Sequence, residues 1–408
     1  MSELRRIPAH DHLWLMASLA EALAGGPAVQ PTASDETPSP EHVPEGCALV
    51  IHTSGSSGSP KFVAHSAESI RASAEATNAI LGGPGQWIIA LPTHLIAGVQ
   101  MLTRSILAGT DPLVVSGKFS PEKLVRLASQ LEAERRYVSL VPVQLRAVIE
   151  LAERDEAALR VLQRFDAMLV GGQAVSLEMR AAAHRLGLKL VRTYGMTETG
   201  GGVVYDGVEI GETEMRIRGG EIQLSGPSLA LGYLDNDGLT AETFIEEDGV
   251  RWYRTGDAGS LLGGMLQVTG RLDRVLISGG VNVSLDRVEA LVHEMPGWAE
   301  SAALEERNDT WGAQVTIVAA PGRNAEDGAG KDAGGGDTLR DGFEALADAV
   351  KAELGPAAVP RRLVVVDELP RLANGKNDYQ RLAAMLTEPQ RDGATGSDVP
   401  RAESKETK

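Results

Sequence analysis

From Cys47 to Tyr194 the chain repeats one pattern: a short apolar run, a turn rich in Gly, Ser, Thr or Pro, then a stretch with helical spacing of its apolar residues. Strand-length apolar runs that alternate with 3.6-residue periodicity bury their faces as a sheet covered by helices, so the pattern dictates an α/β fold. The spacing predicts strands over Ala48–His52, Trp87–Leu91, Leu113–Ser116, Tyr137–Val141, Ala167–Val170 and Leu188–Arg192. Helices are expected over Ala67–Leu81, Leu95–Ala108, Pro121–Glu134, Val143–Ala152 and Ser176–Leu186. Ligands of open α/β sheets bind beyond the carboxyl ends of strands, and functional residues should cluster there.

The first such strand end is Ile51–Lys61, IHTSGSSGSPK. Gly55 and Gly58 let the backbone take positive φ and approach a ligand, while Thr53, Ser54, Ser56 and Ser57 place hydroxyl donors around the turn. Lys61, beside the φ-fixing Pro60, adds a point charge suited to a polyanion, so the loop reads as a phosphate cradle. A Walker loop needs Gly-Lys followed by Ser or Thr; here the lysine follows proline and precedes Phe62, which excludes that motif. A solvated Ser/Gly linker is the other reading, and the apolar run just before it argues against that. A second strand end is Gly171-Gly172-Gln173, where bare backbone admits a flat ring; taken alone it is equally an ordinary tight turn. A third, Tyr194-Gly195-Met196-Thr197-Glu198-Thr199, is closed by Gly200, Gly201 and Gly202. Tyr194 suits stacking on a base, Thr197 donation to phosphate, and Glu198 a Mg²⁺ that bridges phosphate oxygens.

Beyond Val203 the helical pattern stops, and alternating runs to about Leu272 suggest a strand-rich subdomain with turns at Gly219-Gly220, Asn236-Asp237-Gly238 and Gly263-Gly264. Asp257, after Gly256 at a strand end, suits the hydroxyls of a ribose, although a plain turn aspartate is favoured when it is read alone. A break at Gly270–Arg274 precedes a strand, helix, strand, strand, helix, strand series, enough for a small α+β domain. Near its end Lys376 follows Gly375; alone, such a lysine reads as a surface charge. The expected boundaries are 1–272 for a large domain, 273–386 for the small one and 387–408 for a disordered polar tail. Residues 321–337, rich in Gly, Asp and Ala, should form a mobile excursion.

At the N-terminus, Arg5 and Arg6 precede an apolar run from Leu13 to Ala20 that superficially resembles an export signal. His10, Asp11, His12 and Glu21 interrupt or flank it, and an amphipathic surface helix is the preferred reading. Gly25–Glu45, rich in Pro, Ser, Thr and acids, is expected as a surface loop. The net charge of −17 argues against nucleic-acid or anionic-membrane partners. The single cysteine, Cys47, excludes an intrachain disulfide and a multi-cysteine metal site, and fits a reducing cytoplasm. A homodimer is left open.

Together and in this order, TSGSSGSPK, YGMTET, YRTGD, GRLDRVLISGGVNV and the late Gly375-Lys376 resemble the adenylate-forming superfamily of acyl-CoA synthetases, luciferases and adenylation domains, over about Cys47 to Leu382. The resemblance implies a large N-terminal domain of layered α/β subdomains plus a small β subdomain, followed by a small mobile α+β domain. It implies ATP, Mg²⁺ and CoA. A carboxylate attacks the α-phosphate of ATP, pyrophosphate leaves, and a thiol then displaces AMP. By the resemblance, Lys376, Glu198 and Thr197 are catalytic, with Glu198 at the metal, and Thr53 to Lys61 hold the departing phosphates. The adenine lies by Gly171, Gly172, Gln173 and Tyr194, with Gly195 and Met196 alongside, and Asp257 and Arg271 handle the ribose. Asp273 takes the hinge position, and Ser278, Gly279 and Gly280 form the face for the pantetheine arm. Ser57 for a commoner threonine, Arg274 after Asp273, and Asn377 after the lysine depart from the family pattern without removing a reacting group.

Compact length, the segment Leu91–Gln100 and the run TYGMTETGGGVVYDG resemble the o-succinylbenzoate-CoA ligases of bacterial menaquinone synthesis, particularly short actinobacterial forms. That acid carries an aromatic carboxylate besides the one activated, so its pocket should hold a cation. Arg104 is the candidate, ten residues after His94 and near the same helix face; a surface arginine is the alternative. His94, either pocket wall or core histidine, joins Gly201 and Gly202 as the expected acyl pocket. The rival readings are another aryl- or acyl-CoA ligase, an enzyme that loads a carrier protein, and a non-catalytic nucleotide-binding regulator.

Overall fold

The computed structural model describes residues 3–54, 60–308, 312–321, 335–371 and 377–387. The chain divides into two compact units, one of Met1–Thr255 with Gly259–Gln267 and one of Gly256–Ala258 with Val268–Lys408. Of the expected tail 387–408, Thr387 instead closes the helix Tyr379–Thr387, and the remainder, with most of the expected excursion, lies outside the described residues.

The first unit is built on a seven-stranded sheet. Its strands run in the order Val208–Glu209, Gly201–Tyr205, Leu190–Met196, Ala167–Val170, Arg136–Leu140, Gln86–Ile89 and Leu113–Val114. From Leu190–Met196 to Leu113–Val114 every pairing is parallel, and Gly201–Tyr205 returns antiparallel on Leu190–Met196. Parallel strands need both faces covered, which is why their sequences are apolar throughout. Ile88, Val138 and Met168 face the helices Pro121–Ala128, Pro142–Arg154 and Leu177–Arg185. The alternate residues Trp87, Ile89, Tyr137 and Leu169 face the helices His12–Leu23, Ala67–Ile80 and Ile96–Ala108.

That second layer of helices also carries a five-stranded sheet, Leu4–Pro8, Ala28–Thr32, Cys47–Ser54, Pro60–Ser66 and Gly232–Leu234, whose Ile7, Val29, Leu49 and Ile51 enter the same core. Here the expectation of a surface loop over Gly25–Glu45 fails at Ala28–Thr32 and holds from Ala33 to Glu45, which has no helix or strand and is mostly exposed. Ala28–Thr32 is buried along its length and pairs in parallel with Leu4–Pro8, Leu4 opposite Ala28 and Pro8 opposite Thr32. The strand was hidden by Gln30 and Pro31. Gln30 is tolerated in the interior because its amide donates to the Pro38 carbonyl at 2.7 Å and accepts from the Ser39 hydroxyl at 2.7 Å. The N-terminal helix is amphipathic as expected, with Leu15, Leu19 and Leu23 buried and Leu13 and Trp14 exposed.

A third sheet contains Glu214–Arg218, Glu221–Ser225, Val250–Leu262 and Phe244–Glu247. The turn expected at Asn236-Asp237-Gly238 is instead the start of a short helix, Asp237–Thr243, because the Asn236 side chain accepts from the Leu239 amide and caps it.

The second unit has its own five-stranded sheet. Val281–Ser284, Val275–Ser278, Gly312–Ala319 and Ser301–Asn308 are antiparallel neighbours, and Pro360–Val365 joins Gly312–Ala319 in parallel. The helices Leu285–Glu294 and Gly335–Leu354 cover it with a core that includes Leu276, Val288, Val292, Phe343 and Leu346. Among the described residues no helix is long and apolar enough to cross a membrane.

Candidate active site

The carboxyl ends of the parallel strands carry Gly171, Gly172 and Gln173 and, one strand over, Thr197 and Glu198. Thr53 and Lys61 stand on the antiparallel pair Cys47–Ser54 and Pro60–Ser66 of the other sheet, and Arg104 on the helix Ile96–Ala108. Leu190–Met196 runs directly into the 3-10 turn Thr197–Thr199, which holds Thr197 and Glu198. The turn is fixed from several sides. His65 Nε2 donates to the Thr197 carbonyl at 2.7 Å, and the Ala230 amide donates to the Glu198 carbonyl at 2.8 Å. Ser73 Oγ and Gln100 Nε2 both donate to the Gly200 carbonyl, at 2.8 and 2.7 Å. His65 is fully buried, and burial pushes its imidazole down to about 4, so near neutral pH it is an uncharged strut.

Glu198 Oε1 accepts the hydroxyl of Tyr233 at 2.8 Å. Burial and the adjacent carboxylate push that phenol well above its usual range, which keeps it a donor. The Lys61 ammonium lies 5.5 Å from the centroid of the same ring. Thr53 sits directly opposite Lys61 across the Cys47–Ser54 and Pro60–Ser66 pairing, so the two ends of the expected phosphate loop are adjacent. Gly55, Ser56, Ser57 and Gly58 lie outside the described residues, as does the side chain of Ser54.

Several glycines have packing reasons of their own. A Cβ on Gly171 would stand 2.3 Å from Thr193 Oγ1, and one on Gly195 would stand 2.0 Å from the Gly201 carbonyl oxygen. These bare positions let neighbouring strands approach. Gly172, at φ 82°, has open space around it and Gln173 is exposed, so this corner remains accessible. Tyr194, Gly195 and Met196 are half-buried in their strand. Gly201 and Gly202 begin the returning strand Gly201–Tyr205 beneath the turn. His94, half-buried before the helix Ile96–Ala108, has an imidazole lowered chiefly by burial and further by His52.

Arg104 is only 3% exposed, which removes the surface-arginine alternative. Its Nη2 donates to Thr77 Oγ1 at 3.1 Å, Thr77 in turn meets the Tyr205 hydroxyl at 2.9 Å, and the guanidinium stands 5.0 Å from the Trp87 ring centroid. Its Nε has no partner, and among the described residues no carboxylate pairs with it.

In the second unit, Arg271 makes a fork to Asp273, Nε and Nη2 each at 3.0 Å, and its Nη1 lies 3.4 Å from Asp257. The guanidinium holds the Asp273 carboxyl below its ordinary value. Ser278 is buried, and Gly279 and Gly280 at φ 56° and 83° form the two-residue turn of the hairpin Val275–Ser284. Both positions require positive φ in such a turn, which gives the glycines a local reason as well. Residues 372–376, Lys376 among them, lie outside the described residues; on either side of them Arg371 pairs in a β-bridge with Asn377, whose Nδ2 donates to the Ser301 carbonyl at 3.4 Å.

Two family profiles match the chain: AMP-binding enzyme over residues 8–234 and the AMP-binding enzyme C-terminal domain over residues 287–376. The chain belongs to the AMP-binding enzyme family. Within it, the chain is similar to a probable 2-succinylbenzoate–CoA ligase of Mycobacterium tuberculosis, 37% identical over 84% of this chain and 85% of that protein. A 2-succinylbenzoate–CoA ligase of Listeria monocytogenes is 28% identical over 82% and 69%. Among solved structures, the o-succinylbenzoate coenzyme A synthetase of Bacillus subtilis, in complex with ATP and magnesium ion, is 25% identical with a TM-score of 0.69, covering 82% of this chain and 70% of that one.

The family's Mg²⁺ can be tested against the side chains present. No group of three or more His, Cys, Asp or Glu that could hold a metal occurs among the described residues. A single carboxylate, Glu198, with one oxygen given to Tyr233 and the other without a hydrogen bond among the described residues, suits an ion carried mainly by phosphate oxygens and water. The donor set fits Mg²⁺ arriving with ATP. Tyr233 and His65 escaped the sequence reading; for Tyr233 the trace there is an aromatic beside Gly232 in a short apolar run.

Proposed function

We propose that the protein is an AMP-forming acid–thiol ligase that joins o-succinylbenzoate to coenzyme A, a step of menaquinone synthesis. The observation that carries this reading is the likeness to the probable mycobacterial 2-succinylbenzoate–CoA ligase across 84% of the chain. In the first step a substrate carboxylate oxygen bonds to the α-phosphorus of ATP as the bond to pyrophosphate breaks. In the second, the thiol sulfur bonds to the acyl carbon as AMP leaves. The obstacle to the first step is anion meeting anion, which preorganised cations and donors lower. When bound, Mg²⁺ supplies charge neutralisation on the phosphate oxygens.

Thr53 and Lys61 hold the phosphates that leave, and Glu198 would hold the cation that neutralises them. Thr197 donates to phosphate, and Tyr194 with Gly195 and Met196 flanks the base beside Gly171, Gly172 and Gln173. Lys376 neutralises the charge that builds at the reacting oxygens. Asp257 accepts the ribose hydroxyls with Arg271 beside it, Asp273 is the hinge, and Ser278 with its glycine turn serves the thiol arm.

Arg104 is the proposed partner of the substrate's aromatic carboxylate, with His94, Gly201 and Gly202 nearer the reacting end. The support is a polar ladder between two helices. Ser73 and Gln100 meet at the Gly200 carbonyl, and Thr77 and Arg104, each four residues on, meet one turn deeper, about 5.4 Å along the helix axis. An acid activated near Glu198 and carrying a second anion one turn away would supply the counter-ion this guanidinium lacks.

The test is ATP–pyrophosphate exchange across a panel of carboxylates, followed by thioester detection with CoA. Exchange and thioester formation with o-succinylbenzoate are expected. Exchange with another aryl or fatty acid but none with o-succinylbenzoate would leave the family and remove the substrate.

A further inference from the structure

We infer that Tyr233 is a positioning residue that sets the Mg²⁺ dependence of nucleotide binding by holding Glu198 in one orientation. The inference rests on the ligase reading above, in which Mg·ATP is bound at Glu198, and assigns a role to a side chain which that reading leaves without one. Gly232–Leu234 pairs antiparallel with Pro60–Ser66, Tyr233 opposite Val63, so the tyrosine lies on the strand face shared by Val63 and Lys61. Its ring is 5% exposed, packed with Leu229, Ala230, Phe244 and Tyr253, and cannot swing away. The backbone locks the same register, since the Ala230 amide binds the Glu198 carbonyl at 2.8 Å and the Leu231 amide binds the Ala64 carbonyl at 2.7 Å.

From that fixed seat the hydroxyl reaches Glu198 Oε1 at 2.8 Å while the ring face lies 5.5 Å from the Lys61 ammonium. One side chain therefore touches both a carboxylate suited to a cation and the cation at the base of the phosphate loop. A hydroxyl donating to a carboxylate is a charge-assisted bond, strong enough to select one rotamer of an otherwise mobile glutamate. With Oε1 so engaged, the second oxygen is presented in a single direction. Without the hydroxyl, the carboxylate must be ordered each time Mg·ATP binds, and the Lys61 ammonium offers it a competing partner.

The experiment compares binding of Mg·ATP with binding of ATP in EDTA, by calorimetry on the full chain. Tyr233→Phe keeps the ring, and it should weaken Mg·ATP binding roughly tenfold while leaving metal-free ATP within twofold of wild type. In a Glu198→Gln background the same substitution should add no further loss of the Mg²⁺ effect, because the two residues act as one unit. Tyr233→Leu, which also removes the ring beside Lys61, should weaken ATP with and without metal. Equal Mg·ATP affinity in wild type and Tyr233→Phe overturns the inference and leaves the ligase reading standing, as does an equal loss with and without Mg²⁺. Wild-type protein that binds no Mg·ATP overturns both. The melting temperature of each unliganded variant separates a packing defect, which would lower both affinities, from the metal-specific effect.

Discussion

Arg104 is a guanidinium in the interior of the first unit whose described neighbours are a hydroxyl and an indole, with no carboxylate. Burial disfavours its charge, so the folded protein carries a cost that an anionic ligand would relieve. Arg104→Met should raise KM for o-succinylbenzoate by about tenfold to a hundredfold, the range of a hydrogen bond to a charged group. Turnover of 4-oxo-4-phenylbutanoate, which lacks the ring carboxylate, should be little changed. Steady-state kinetics with both acids decide it, and an equal loss on both would make Arg104 a packing residue. Arg104 was legible through the cation that the resemblance's substrate calls for and through its ten-residue spacing from His94, while its burial was not, since a surface arginine fitted the same pattern. Lys61 and Glu198 were legible because loops bounded by glycine set them apart. Tyr233 was not, since its tie to Glu198 spans 35 residues and its neighbours Gly232 and Leu234 mark only a short apolar run. Gly171 was read as bare backbone for a flat ring or an ordinary tight turn, and Gly195 was placed near the base by the resemblance alone, whereas Thr193 and the Gly201 carbonyl show that close strand approach already demands glycine at both.

Between elements, His65 ties the strand Pro60–Ser66 to the 3-10 turn Thr197–Thr199 over 132 residues of sequence. The folded imidazole sits at about 4 against 6.5 when exposed, so below pH 6.5 the unfolded chain gains a proton that the folded chain refuses. Stability is therefore lost as pH falls from 6.5 toward 4, by about 3 kcal/mol over the window and about 2 kcal/mol by pH 5. Urea denaturation at pH 7.5 and 5.0 should show wild type falling by about 2 kcal/mol more than His65→Gln. An identical fall in both proteins would mean that His65 does not titrate as its burial requires. At this scale several locally determined elements were read well, although the helix expected over Pro121–Glu134 ends at Ala128. The central parallel strands are apolar on both faces and stand out for that reason, and the helices Ala67–Ile80 and Ile96–Ala108 lie within a residue of their expected ends. Ala28–Thr32 was misread because its interior place depends on partners elsewhere in the chain. Leu4–Pro8 on one side, Leu49 on the other and the Pro38–Ser39 segment over Gln30 together admit a strand that composition assigns to a loop.

Across the whole molecule, the residues expected to act are shared between two units that each bury a core of their own residues. The first holds Thr53, Lys61, Glu198 and Tyr233; the second holds Asp257, Arg271, Asp273, Ser278 and Lys376. A substitution at Lys376 alters no residue of the first unit's core and none of its phosphate-binding residues. It also spares the anchors of its own segment, where Asp378 binds the Pro370 carbonyl at 2.9 Å and Asn377 reaches the Ser301 carbonyl. The proposed role of Lys376 belongs to the adenylation step alone, since the thiol step builds no new charge on the α-phosphate before AMP departs. Lys376→Ala should therefore bind Mg·ATP with nearly wild-type affinity, lose ATP–pyrophosphate exchange by a factor of at least about a hundred, and still form the thioester from supplied acyl-adenylate and CoA. Calorimetry, exchange and a thioester assay on one preparation measure these independently. Equal loss in both half-reactions would assign Lys376 to a step they share, and loss of Mg·ATP binding would move it into the ground-state nucleotide site.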